Sequence, residues 1–150
     1  MVGERVNFVC RYARIIGSPA LGSLHELNLR RWWPPVLWAG VIVTATSLPG
    51  RFVPDVGEQG LDKVVHAFLY GVLAFLLARS MNNPPRTTLI RVAFASIVFC
   101  MAMGSLDEWH QQFIEGRDAD VNDFIADCAG SAVGASIWAL KARVRTTHQS

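Results

Sequence analysis

The stretch VAFASIVFCMAMGSL, residues 92–106, decides the fold, because it is apolar all the way round a helix. Only Ser96, Gly104 and Ser105 interrupt it, and they do not make the long polar face that an amphipathic helix of a soluble protein needs. The run then ends abruptly in Asp107-Glu108-Trp109-His110-Gln111. Charged and amide groups at the end of a helix that suits lipid are costly, so their position is a functional clue.

Working outward, three further runs read the same way. Residues 32–48 carry no charge and open with Trp32-Trp33-Pro34-Pro35, which places both prolines in a first turn where their missing N–H groups cost little. Residues 64–78 close at Arg79, and residues 124–140 close at Lys141. Apart from the first, the runs fall short of the roughly 20 apolar residues that a spanning helix uses. Taken together, they lack the polar faces of a soluble bundle, and the pattern predicts an all-α bundle of four transmembrane helices. Composition agrees: 51% of the 150 residues are hydrophobic and 17% charged, against about 25% charged in ordinary soluble domains. A net charge of +2, with no basic run interleaved with aromatics, excludes a nucleic-acid partner as the expectation and leaves the lipid bilayer.

Eleven of the fourteen lysines and arginines fall before the first run, between the second and third, or after the fourth, whereas Arg51, Lys63 and Arg117 lie in the other two loops. That bias predicts a multi-pass protein of the bacterial inner membrane with both termini cytoplasmic. The expected organisation is a cytoplasmic or interfacial segment and linker at 1–31, a membrane domain at 32–140 and a cytoplasmic tail at 141–150. Val2, Val6, Val9, Ala13 and Ile16 give the first segment the periodicity of a short amphipathic helix lying on the inner surface. Cys10, Cys100 and Cys128 have no metal or disulfide spacing and read as unreactive thiols.

Depth follows from the helical rise of about 1.5 Å per residue. Counted from Arg79, Arg91 and Lys141 at the inner boundary, His66, Asp107 and Asp127 all stand about 20 to 24 Å away, in the outer third of the hydrocarbon. Asp62, His66 and Tyr70 share one helix face, as do Glu108 with Gln111, Asp107 with Gln111, and Asp123 with Asp127. Side chains on shared faces at one depth predict a polar pocket open to the outside, with Lys63 and Arg117 as the cations nearest its carboxylates. Asp118, Asp120 and Asn122 read instead as loop and helix-capping residues.

Other chemistries lack their signatures. Asp118-x-Asp120-x-Asn122 opens like a calcium loop, but Asp123 stands where glycine is needed and Ala129 where glutamate is. His-Glu-x-x-His is absent, as are a nucleophile elbow, a phosphate-binding loop and a dinucleotide fingerprint, so neither metal nor cofactor is expected. His66 with Asp107, Glu108 or Asp127 has suitable metal-ligand chemistry, yet ligands from separate helices leave no spacing to read. Gly130 and Gly134 form a row of small residues with Ala126 that suits close helix packing within the bundle or, alternatively, a homodimer face.

These motifs resemble those of the VanZ-like family of small bacterial membrane proteins. The resemblance rests on Asp62-Lys63-x-x-His66 with Tyr70, then on Asp107-Glu108-x-x-Gln111-x-Phe113-x-x-Gly116-Arg117 followed by Asp123 and Gly130, and covers residues 32–140. Glu115 stands where the family commonly has proline and Asp127 where it has asparagine, which makes this chain more acidic. The resemblance implies a four-span protein of a family named for a member linked to low-level resistance to the glycopeptide teicoplanin.

The expected function is therefore binding of an envelope component, or of a lipophilic envelope-directed compound of the glycopeptide type. The pocket would be built from Asp62, Lys63, His66, Tyr70, Asp107, Glu108, Gln111, Arg117, Asp123 and Asp127. A membrane-embedded hydrolase or transferase acting on a lipid-linked substrate is the alternative, with His66, Asp107, Glu108 or Asp127 in acid/base roles. In a third reading the same groups only hold the helices together.

Overall fold

A computed structural model describes residues 29–52, 59–81 and 86–147. Contacts divide the chain into two units, Met1–Arg31 and Trp32–Ser150. The amphipathic segment and linker expected before residue 29, Cys10 included, lie outside the described residues.

Four α-helices occur there, with no strand among the described residues: α1 Leu29–Thr46, α2 Gln59–Ser80, α3 Arg86–Gln111 and α4 Val121–Thr147. A 3₁₀ turn, Gly50–Phe52, follows α1. The helices overrun their apolar runs, so Asp62, Lys63 and the whole Asp107–Gln111 block sit on regular helix. α1 differs from expectation. It begins at Leu29 rather than at Trp32, which puts Pro34 and Pro35 inside the helix instead of in its first turn. Each proline lacks the N–H that would bond the carbonyl four residues earlier, and those residues, Arg30 and Arg31, are exposed in the first turn.

Two helices are long and apolar enough to cross a membrane, Gly60–Ser80 and Thr88–Gln111. α1 misses because its 18 residues include Arg30, Arg31 and both prolines. α4 misses because Asp123 and Asp127 open it, three basic residues close it, and Ala, Gly and Ser fill its middle.

α4 is the hub, packing most closely on α2 and next on α3. Glycine explains the tight pair. A Cβ at Gly130 would collide with the Ala67 carbonyl, and one at Gly134 with the Gly71 carbonyl. The row of small residues is thus filled by α2 of the same chain. α1 joins differently, through side chains rather than close backbone approach: Ile42 enters the core with Tyr70, Leu73 and Cys100, and the Trp38 indole donates to the Leu69 carbonyl at 2.9 Å.

Large apolar side chains cover the outside, among them Val36 and Leu37 of α1, Phe68 of α2, Ile90 and Phe94 of α3, and Val133 and Leu140 of α4. So continuous an apolar perimeter suits lipid rather than water. Trp33 lies exposed near one end and the edge-to-face pair Trp109 and Phe113 near the other, as in interfacial aromatic belts.

Candidate functional site

Polar residues meet at one end of the bundle, where α2, α3 and α4 converge with the end of α1. His66, Asp107, Glu108, Gln111, Asp123 and Asp127 are all buried there, although each carries a charge or an amide. Burial of that kind demands partners, and the partners sort the residues into three groups.

Asp107 belongs to the framework. Its Oδ1 accepts from Thr46 Oγ1 of α1 at 2.6 Å, and its Oδ2 from the Tyr70 hydroxyl of α2 at 3.3 Å. One carboxylate on α3 thereby joins three helices. Thr46 was not anticipated from the sequence, because threonine is unremarkable near a helix end. The depth rule would have found it, since counting from Arg31 puts Thr46 about 22 Å from the inner boundary.

Lys63 forms a clamp. Its ammonium lies 3.0 Å from Asp120 Oδ2 and 3.1 Å from Asp123 Oδ1. Asp120 also caps α4, accepting from the Asn122 backbone N–H at 2.8 Å through Oδ1. That N–H first, and Lys63 next, hold the Asp120 carboxyl below the usual aspartate range. The capping role matches the sequence reading, and the reach to Lys63 adds to it. Asp118 is exposed.

His66, Glu108, Gln111 and Asp127 form the third group, which keeps unspent capacity. His66 Nδ1 lies 3.0 Å from Asp127 Oδ1, and His66 Nε2 lies 4.0 Å from Asp123 Oδ2. Glu108 Oε2 accepts from the Asp120 backbone N–H at 2.9 Å. Glu108 Oε1, Gln111 Nε2 and Asp127 Oδ2, all buried, have no hydrogen-bond partner among the described residues. Gly104 makes room for Asp127, because a Cβ there would come within 2.9 Å of Oδ2.

Arg117 stands apart from the carboxylates. Its Nε donates to the Leu48 carbonyl at 3.5 Å, and it makes no ion pair among the described residues. Its loop turns at Gly116, whose φ of 75° suits glycine, and Gly50 donates its N–H to the Glu115 carbonyl at 3.0 Å. The turn after α1 and the loop before α4 therefore touch backbone to backbone.

Below this polar end, a groove of about 610 Å³ runs between α2 and α4. Val64, Ala67, Phe68, Gly71 and Val133 line it, and Lys141 lies at its end away from the cluster, its Nζ 5.4 Å from the Phe75 ring centre.

A family model described as VanZ/LLP1 matches residues 18–142. No curated protein and no solved structure matches the chain.

Proposed function

Since the chain belongs to the VanZ/LLP1 family, we propose that it is an inner-membrane protein whose buried outer-end cluster binds the polar part of an envelope lipid or of a lipophilic, glycopeptide-type compound. In this reading α1 and α4 cross the bilayer with α2 and α3, both termini are cytoplasmic, and residues 32–140 form the membrane domain. The exposed apolar flanks of α1 and α4 support the crossings, and the excess of basic residues at the opposite end from the cluster supports the orientation.

The observation that carries the proposal is the unspent hydrogen-bonding capacity of Glu108, Gln111 and Asp127 at a point where three helices meet. Groups that serve only to join helices satisfy one another, as Thr46, Tyr70 and Asp107 do. Groups left with free valence inside a bundle are matched to something else. The groove between α2 and α4 suits the acyl or prenyl chain of the same molecule, its walls being apolar.

Glu108→Gln keeps the size of the side chain and removes its charge. The expected outcome is normal folded abundance in membranes with loss of the protein's effect on teicoplanin sensitivity. Wild-type sensitivity at wild-type abundance would overturn the binding role.

The contact between His66 and Asp127 favours one other reading, acid/base catalysis on a lipid-linked substrate. Asp107, engaged by Thr46 and Tyr70, fits that role less well than His66, Glu108 and Asp127 do. It requires turnover of such a substrate by purified protein and its loss in His66→Gln.

A further inference from the structure

The geometry points to a divalent cation site formed by His66 of α2, Glu108 of α3 and Asp127 of α4, of a kind suited to zinc or manganese. A ring nitrogen of His66 and one oxygen each of Glu108 and Asp127 lie within 4.8 Å of one another, and all three residues are buried. Ligand atoms around tetrahedral zinc stand about 3.4 Å apart at metal–ligand distances of about 2.1 Å, so small side-chain rotations close the site.

Two features independent of this proximity point the same way. Glu108 Oε1 and Asp127 Oδ2 have no partner among the described residues, and the two residues are no more than 8% exposed. His66 Nδ1 and Asp127 Oδ1, 3.0 Å apart, stand close to the spacing of two ligands on one metal. Glu108 is aimed by an engaged twin, its Oε2 accepting from the Asp120 backbone N–H at 2.9 Å. That is how carboxylate ligands are oriented around metals. Charge is the second feature. Lys63, the ammonium beside the cluster, is committed to Asp120 and Asp123, so among the described residues neither Glu108 nor Asp127 pairs with a lysine or arginine.

A second carboxylate pair around His66, Asp62 and Asp123, is the weaker set, because Asp123 is held by Lys63 and Asp62 is only half-buried. One imidazole with two carboxylates is a donor set for zinc or manganese more than for copper or an iron–sulfur centre. Gln111, one turn from Glu108 on α3, keeps a buried Nε2 that has no partner among the described residues. Signature spacing could not reveal this set, because its ligands come from three helices.

The inference rests on reading this cluster as a functional site, and its test separates the two ideas. Untagged full-length protein in detergent micelles, equilibrated with Zn²⁺ or Mn²⁺ and freed of excess metal by gel filtration, should retain about one equivalent per chain by elemental analysis. Occupancy should drop at least tenfold in Glu108→Gln and Asp127→Asn and persist in His110→Ala. The wild-type Tm should fall by several degrees on chelation and recover on re-addition of the metal, which needs no variant. No retained metal and no chelator-dependent Tm overturns the site, as does equal occupancy in the wild type and both carboxylate variants. Metal loss alongside an intact teicoplanin effect in Glu108→Gln upholds the cation site and overturns the binding role. An effect lost in protein that never held metal does the reverse.

Discussion

Thr46 donates to Asp107 across 2.6 Å, a length typical of a hydroxyl facing a carboxylate. Hydrogen bonds to charged groups contribute about 1.5–3 kcal/mol, so Thr46→Val should lower the unfolding free energy in detergent by that amount. Thr46→Ser should restore most of it. Because Asp107 works as a joint, Thr46→Val should reduce abundance and teicoplanin effect in the same proportion. The next residue behaves differently: Glu108 is aimed by a backbone N–H and keeps its second oxygen free. Neighbouring carboxylates on one turn of α3 thus separate a structural task from the binding one proposed for Glu108. The sequence places both at one depth but cannot divide the tasks, since the division depends on which helix each side chain faces.

Between helices, the contact with least slack is that of α2 and α4. A side chain at Gly130 would meet the Ala67 backbone, which cannot swing aside as a side-chain tip can. Overpacking commonly costs about 1–3 kcal/mol, and a backbone collision belongs at or above the upper end of that range. Gly130→Val should therefore deplete folded protein from the membrane. Gly40→Ala is the control: nothing lies within 4 Å of a Cβ there, and a helical glycine replaced by alanine gains about 0.5–1 kcal/mol. Parallel unfolding curves check both. The small-residue row was legible in the sequence because its spacing is regular. Its partner was not, since a glycine stripe fits a second copy of the chain as well as another helix of the same one.

At the scale of the molecule, the proposed orientation has a direct check. In a cysteine-free background, single cysteines replacing Glu115 and Arg143 should differ in reaction with a membrane-impermeant maleimide on intact spheroplasts. The Glu115 position should label before lysis and the Arg143 position only after it. The reverse order would invert the topology, and equal labelling would remove it. Four helical runs were readable because apolar residues cannot be hidden, yet α1 and α4 are less apolar than spanning helices usually are. Arg30, Arg31 and two prolines dilute one, while small residues and terminal charges dilute the other. In lipid, contact between small residues contributes by close packing rather than by expelling water, so hydropathy understates what holds α4 in place.

The unequal attachment of the helices has a mechanical consequence. Glycine contacts leave α2 and α4 no room to slide or separate without breaking many contacts at once. α1 is fastened by Ile42, an indole on a carbonyl and one hydroxyl on a carboxylate. Of the two attachments, the side-chain seam around α1 can therefore open with less disruption than the backbone contact of α2 with α4.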